Sequence, residues 1–219
     1  MQPLLLINKG RYACQRVCPC SLLYFMLYKK EQMFYNGKHE WGGGERMPAR
    51  QESCCFTGHR PAKLPWGYDE SDPRCVELKR RIADAVLLAY QEGYRHFLCG
   101  MAQGCDLYFC EAVLALRGRY PEITVEAAIP CPTQADAWPE AQQQRYRELT
   151  ARCDLETMVS DTYSPACMQR RDRYMVDHSM LLIAAFDGTA GGTRYTVEYA
   201  LRRGIEILDV SIPTEPSGG

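Results

Sequence analysis

Hydrophobic and polar residues alternate regularly along most of the chain, and the period of the alternation changes from segment to segment. Short runs that are apolar at nearly every position, such as His96–Cys99 and Leu181–Ala185, predict strands buried on both faces of a sheet. Longer segments between them carry apolar residues every three or four positions, which is the spacing of one helix face. The first of these segments has apolar residues at Cys75, Leu78, Ile82, Val86 and Ala89. The two periods together predict a chain of strands separated by helices.

The predicted elements follow one another in strict alternation. Strands are predicted at 52–57, 95–101, 123–130, 155–159, 180–186 and 205–210. Helices are predicted at 71–92, 103–119, 135–152, 168–179 and 193–203. Because helices between successive strands cover both faces of a sheet, the pattern predicts an α/β fold with a single doubly wound, mostly parallel sheet of about six strands.

The two ends of the chain differ from this patterned region. Residues 1–50 show neither period, and we predict an N-terminal extension that is disordered or loosely docked. The alternative is that the native protein starts at Met47, because Gly42–Arg46 has the residue types that an in-frame ribosome-binding sequence would encode. Residues 51–210 form the predicted domain, and residues 211–219 are expected to be a disordered tail.

Composition narrows the class of protein. The 219 residues include 46% hydrophobic and 24% charged residues and carry a formal net charge of −1, which is typical of one globular domain with an appendage. That charge argues against a protein that coats nucleic acid or an anionic membrane. No apolar run approaches the roughly 20 residues that span a bilayer, and the N-terminus lacks the layout of a signal peptide. We therefore predict a cytoplasmic protein without a membrane partner.

Twelve cysteines raise the question of disulfides or a metal. Many of them, including Cys54 and Cys99, lie in apolar runs, so we predict buried, reduced thiols. Cys14, Cys18 and Cys20 follow a C-x3-C-x-C spacing with only three thiols, whereas zinc usually takes four ligands in two close pairs. We predict no metal site.

Three glycine-bearing loops follow predicted strands, at Thr57–Pro61, Gly100–Asp106 and Asp187–Thr193. In doubly wound folds, ligands bind beyond the carboxyl ends of the strands. Glycines let the backbone approach a ligand, threonine hydroxyls add donors, and the free N–H groups of the helix beginning near Thr193 would bind a phosphate. The P-loop pattern and G-x-G-x-x-G are both absent, so neither an ATPase nor a standard dinucleotide dehydrogenase is indicated.

Four segments carry a resemblance to a known family: Ser53–Pro61, Leu98–Asp106, Arg171–Asp177 and Gly191–Ala200. Together they resemble the YpsA-like branch of the SLOG superfamily, whose relatives include the LOG phosphoribohydrolases and the DNA-processing protein DprA. The resemblance covers about residues 51–210. It implies a Rossmann-like fold with a nucleotide-type ligand at the strand ends, and no other cofactor.

The candidate nucleotide-binding residues are Gly58, His59, Arg60, Gly100, Gly104, Asp106, Arg171, Gly191, Gly192, Thr193 and Thr196. Arg171 stands where the LOG motif has an arginine, and its planar fork suits phosphate oxygens; the alternative is a solvated helix charge. Asp106 either caps its helix or accepts a ribose hydroxyl. His59 either donates to phosphate, acts as a general acid, or shapes a turn. Trp66 and Tyr68 either stack on a base or pack beneath their loop.

The resemblance is incomplete at the residue that LOG enzymes use for catalysis. Their P-G-G-x-G-T-x-x-E motif places a glutamate where this chain has Thr196. Glu198 lies two residues further along the helix, about 200° around its axis. This favours a nucleotide-binding sensor or regulatory module, for a ligand such as ADP-ribose or NAD, over a hydrolase of the N-glycosidic bond. In the hydrolase alternative, Glu198 and His59 are the catalytic candidates.

A third alternative is a DprA-like binder of single-stranded DNA. The net charge and the lack of a basic run interleaved with aromatic residues disfavour it, so a nucleic-acid partner is not expected. The identity of the ligand, a protein partner and homo-oligomer formation are left open by the sequence.

Overall fold

The computed structural model describes residues 5–7 and 49–214. The strands are β1 (Leu5–Ile7), β2 (Ser53–Gly58), β3 (His96–Cys99), β4 (Thr124–Ile129), β5 (Leu155–Met158), β6 (Leu181–Phe186) and β7 (Glu206–Ser211). The helices are α1 (Pro73–Gln91), α2 (Cys105–Arg117), α3 (Glu140–Thr150), α4 (Cys167–Asp177) and α5 (Gly192–Arg203). Short 3-10 turns occupy Arg50–Glu52 and Pro61–Lys63. Met47 and the trio Cys14, Cys18 and Cys20 lie outside the described residues.

The strands form one sheet in the order β1-β7-β6-β2-β3-β4-β5. Strands β2 to β7 all pair in parallel with one another, which confirms the predicted doubly wound α/β fold. The segment Leu5–Ile7 adds an antiparallel strand at the outer edge of β7, with Leu6 opposite Leu208. The architecture is Rossmann-like.

Local sequence signals explain where the helices begin. Helix α1 begins at Pro73 because Asp72 caps it, its side chain accepting a hydrogen bond of 2.8 Å from the backbone N–H of Arg74. Helix α3 begins at Glu140, five residues later than predicted, because Pro139 disfavours helical backbone in the residue before it. The remaining helix and strand boundaries differ from the predicted ones by two residues or fewer.

Alternate residues of each strand face opposite sides of the sheet, and each side has its own core. On one side, Cys54 and Phe56 of β2 pack with α1 and α2. On the other side, Cys55 and its neighbours pack with α4 and α5. This two-sided burial explains why the strands are apolar at consecutive positions.

The described cysteines are free thiols, and all but the half-buried Cys153 are buried. This confirms the prediction of buried, reduced thiols for that part of the chain. Among the described residues, no helix combines the length and the apolar character that crossing a bilayer requires.

Strand β2 lies at the point where the direction of the chain through the sheet reverses. The chain proceeds from β2 to β3, β4 and β5 on one side, and then returns to β6 on the other side of β2. The loops that leave β2 and β6 therefore diverge to opposite faces of the sheet. A crevice at such a switch point is the usual ligand site of open α/β sheets.

Candidate functional site

A cavity of about 400 Å³ lies at the carboxyl ends of β2 and β6. Four short pieces of chain contribute most of its wall: the loop after β2, the start of α2, one face of α4 and the start of α5. It is lined by Phe56, Thr57, Gly58, His59, Arg60, Ala62, Lys63, Ala102, Asp106, Met168, Arg171, Asp172, Met175, Gly192 and Thr193. The cavity thus coincides with the switch point of the sheet.

His59 ties the loop after β2 to the loop after β6. It is 2% exposed, its Nε2 lies 2.6 Å from Asp187 Oδ1, and its Nδ1 lies 3.2 Å from Thr193 Oγ1. Burial raises the pKa of Asp187, but hydrogen bonds from His59 and Thr189 outweigh it and lower the pKa to about 2. Both ring nitrogens of His59 are therefore engaged by protein groups, and the ring joins the two walls of the cavity.

The threonine hydroxyls of the loop after β6 bond within the protein. Thr193 Oγ1 donates to the carbonyl of Gly58 at 3.1 Å, and Thr196 Oγ1 donates to that of Gly192 at 3.0 Å. The first intrahelical bond of α5 runs from Tyr195 N to the carbonyl of Gly191. The N–H groups before Tyr195 precede that bond and are the donors that the start of α5 offers to an anion.

Most glycines of the strand-end loops are explained by contacts inside the protein. A Cβ on Gly58 would clash with Cys105, and one on Gly100 would clash with Arg171. Gly104 has a φ of +86° and lies against the carbonyl of His59. Gly191, with a φ of +150°, lies against the Lys63 ammonium. Gly192 differs, because a Cβ there would have no atom within 4 Å, so its free side faces open space.

Two cations at the cavity have no acidic partner within the described residues. Pro61 opens the 3-10 turn that carries Lys63, and the Lys63 ammonium donates to the carbonyl of Ala190 in the loop after β6. Arg60 is exposed and contacts the thioether of Met168, with 3.7 Å between Nη2 and Sδ. Their positive charges are left to face the cavity and solvent.

Arg171 has acidic partners. It is 4% exposed, its Nε donates to Asp172 Oδ1 at 2.8 Å, and its Nη1 donates to the carbonyl of Gly100. The same Nη1 lies 3.7 Å from Asp106 Oδ2. Burial lowers the pKa of Arg171, but the carboxylates of Asp172 and Asp106 outweigh it and raise the pKa. At the base of the cavity, the guanidinium of Arg171 is therefore held by Asp172, the carbonyl of Gly100 and Asp106.

Asp106 lies in the first turn of α2 and is 6% exposed. Its Oδ2 accepts a hydrogen bond of 3.2 Å from the backbone N–H of Ala102. The preceding residue, Met101, is buried with a φ of +54°, a conformation that a non-glycine residue rarely adopts outside constrained loops. Burial raises the pKa of Asp106 to about 6, against the opposing effect of Arg171.

Several residues that the sequence analysis considered lie away from the cavity wall. Glu198 is exposed and pairs with Arg194 at 2.8 Å on the outer face of α5. Trp66 is 7% exposed and belongs to the core, which corresponds to packing beneath its loop, whereas Tyr68 is 62% exposed. Gly100, Gly104, Gly191 and Thr196 do not line the cavity. Within the described residues, no group of three or more His, Cys, Asp or Glu side chains is arranged to hold a metal ion.

The structure also brings in residues that the sequence analysis did not select. Lys63, Met168 and Asp172 line the cavity, and Asp187 holds His59. Asp187 could have been found, since it opens the third glycine loop. Lys63 and Met168 carry no local signal, because only the folding of their segments over the strand ends brings them to the site.

Comparisons with known proteins identify relatives of the chain. A family model described as the YspA SLOG family matches residues 54–206. The uncharacterized SPbeta prophage-derived protein YoqJ of Bacillus subtilis (strain 168) is 30% identical over 143 residues, which cover 59% of this chain and 83% of that protein. A UPF0398 protein of Lysinibacillus sphaericus (strain C3-41) is 21% identical, over 73% of this chain and 89% of that protein.

One similar solved structure is DNA processing protein A from Helicobacter pylori, which was determined to describe its single-stranded DNA binding mode. The match has a TM-score of 0.47 and 13% sequence identity, and it covers 70% of this chain and 62% of that chain.

Proposed function

The chain belongs to the YspA SLOG family, and we propose that its cavity binds a nucleotide or nucleotide derivative through the ligand's phosphate, as a sensor or regulatory module. The observation that carries the proposal is the charge of the cavity wall. Arg60 and Lys63 have no carboxylate within ion-pair distance in the described part of the chain, and both line the cavity, Lys63 beside the loop that precedes α5 and Arg60 beside Met168 of α4. Unpaired cations beside free backbone N–H groups favour an anion.

Space and backbone geometry support the same ligand. A volume of about 400 Å³ is in the range of small-molecule sites. Gly192 lines the cavity and leaves open space where a side chain would be, so a phosphate can approach the backbone of α5. Two carboxylates already pair with Arg171, which supports Arg60 and Lys63 over Arg171 as the main anion ligands.

The positions of Thr196 and Glu198 support binding over hydrolysis. Thr196 stands where the LOG motif has its glutamate, and its hydroxyl donates a hydrogen bond of 3.0 Å to the carbonyl of Gly192. Glu198 is exposed and paired with Arg194, outside the cavity lining. Neither side chain offers the cavity a carboxylate for attack on an N-glycosidic bond.

We expect Arg60→Ala and Lys63→Met each to weaken phosphate-dependent binding by roughly tenfold, because each removes one charge-assisted contact. Titration calorimetry with the four ribonucleoside 5′-monophosphates, ADP-ribose and NAD measures the effect. Arg119→Ala is the matched control, since Arg119 is an exposed arginine that does not line the cavity. Its affinity should equal that of the wild type.

The proposal fails if nucleosides without phosphate bind as tightly as the nucleotides, or if neither cation variant changes the affinity. Release of free base is followed in the same mixtures by chromatography. Release at about one per second or faster, a typical enzyme rate, that stops in Glu198→Gln would favour the hydrolase instead.

Gly192→Val should weaken binding of the same nucleotides at least tenfold while the melting temperature stays within a few degrees. The Cβ of the new side chain meets no protein atom within 4 Å, and the side chain occupies the space through which the phosphate reaches the backbone. Gly192→Ala, with a single methyl group, is expected to give an intermediate affinity. An unchanged affinity in Gly192→Val would remove the start of α5 from the site.

A further inference from the structure

The part of the cavity wall around Asp106 differs in charge from the part with Arg60 and Lys63. Asp106 and Asp172 both line the cavity next to Arg171. Arg60 also lowers the pKa of Asp106, but from beyond ion-pair distance, so two carboxylates share one paired guanidinium. A second negative group, such as a phosphate, would be repelled there. A cationic ligand group would meet the Arg171 guanidinium, whose Nη1 is 3.7 Å from Asp106 Oδ2. The group that fits this side is therefore a neutral hydrogen-bond donor.

Asp106 has an oxygen available for such a donor. The hydrogen bond from the N–H of Ala102 goes to Oδ2, and Oδ1 has no hydrogen-bond partner within the described residues. The side chain is more than nine-tenths buried and belongs to the cavity wall. A ligand hydroxyl that donates to this oxygen would form a hydrogen bond to a charged group, which is stronger than one between neutral groups.

We infer that Asp106 accepts a hydrogen bond from a ribose hydroxyl of the bound nucleotide, so that the cavity selects ribonucleotides over deoxyribonucleotides. The inference rests on the proposed function. If Arg60 and Lys63 bind the phosphate of the ligand, a different part of the ligand faces Asp106. A site that hydrogen-bonds a ligand hydroxyl discriminates strongly against an analogue that lacks the hydroxyl, since the acceptor then loses its ligand partner.

The test compares the ribonucleoside 5′-monophosphate that binds best, among those of the four bases, with its 2′-deoxy and 3′-deoxy analogues. In the wild type, at least one deoxy analogue should bind about 10- to 100-fold more weakly, which is the effect of one hydrogen bond to a charged group. In Asp106→Asn, the ratio of the dissociation constants should fall to within about threefold of one. The ratio cancels any general change in phosphate affinity caused by removing a negative charge.

The outcomes separate this inference from the proposed function. Phosphate-dependent binding with equal affinities for the ribo and deoxy compounds overturns the inference and leaves the proposed function standing. Absence of phosphate-dependent binding overturns both. If Asp106→Asn instead abolishes a difference between AMP and IMP, the donor is the amine of the base and the inference is wrong. The ratio of the deoxy and ribo dissociation constants in the wild type tests the inference without any variant. Asp106→Ser provides a second test of the residue if Asp106→Asn does not fold.

Discussion

Replacing Arg171 with alanine is expected to lower the free energy of unfolding by about 3 to 5 kcal/mol, as observed when one partner of a buried ion pair is removed. The guanidinium is 4% exposed and is the cation next to both Asp106 and Asp172. Its removal leaves the carboxylates of Asp106 and Asp172 at the base of the cavity without the guanidinium that lies within ion-pair distance of both. It also leaves the carbonyl of Gly100 without the donor that Nη1 supplies.

Urea denaturation at neutral pH measures this loss. Arg170→Ala is the matched control, because Arg170 precedes Arg171 in α4 but is exposed, and its side chain donates a hydrogen bond to the Ser164 hydroxyl rather than pairing with a carboxylate within the described residues. Its stability should change by less than about 0.5 kcal/mol. If Arg171→Ala were as stable as Arg170→Ala and lost nucleotide affinity instead, Arg171 would be a ligand-binding group, as its position in the family motif implies.

Asp106→Asn is expected to stabilise the protein by about 2 to 3 kcal/mol at pH 8, because a carboxyl whose pKa is raised by about two units on folding costs roughly that much once it is ionised. Burial raises the pKa of Asp106 from 3.8 to about 6. Between these two values the folded state binds more protons than the unfolded state, so stability contributed by this group is lost as the pH rises. Asparagine resembles the neutral carboxyl, and the gain should be complete above pH 6 and absent below about pH 4.

Thermal unfolding at pH 4, 6 and 8 tests the sign of the effect. Asp161→Asn is a suitable control, since Asp161 is exposed and lies outside the cavity wall. A variant that is equally stable or less stable than the wild type at pH 8 would show that Arg171 compensates the buried charge completely. The expected result would mean that a carboxylate is kept at this position despite its cost in stability, as is common at ligand sites.

The fold could be predicted from the sequence because its determinants are local. The spacing of apolar residues marked the strands and helices from β2 to β7. A parallel sheet follows from the alternation of strands with helices. Where the prediction was inaccurate, a specific residue accounts for it: Pro139 delays the start of α3. The segment Leu5–Ile7 carries too few residues for either period to be visible, and only pairing with β7 defines it as a strand.

The location of the candidate site could be predicted from the sequence, but the roles of its individual residues could not. Parallel strands bring their carboxyl ends to one edge of the sheet, so the sequence alone put the loops after β2, β3 and β6 together. The structure then distinguishes roles that the glycine pattern cannot, since Gly58 and Gly104 make room for protein atoms while Gly192 leaves open space. Whether these residues bind a nucleotide stays a prediction.

The sequence by itself determined the α/β fold, the edge of the sheet that carries the site and the family, because these depend on residue types at fixed spacings. Only the tertiary structure decided which charges are balanced. Arg171 and Arg60 are equally cationic in the sequence, yet one is buried between two carboxylates and the other is exposed without one. Burial and charge pairing are set by residues far apart in the chain, and only the folded structure brings those residues together.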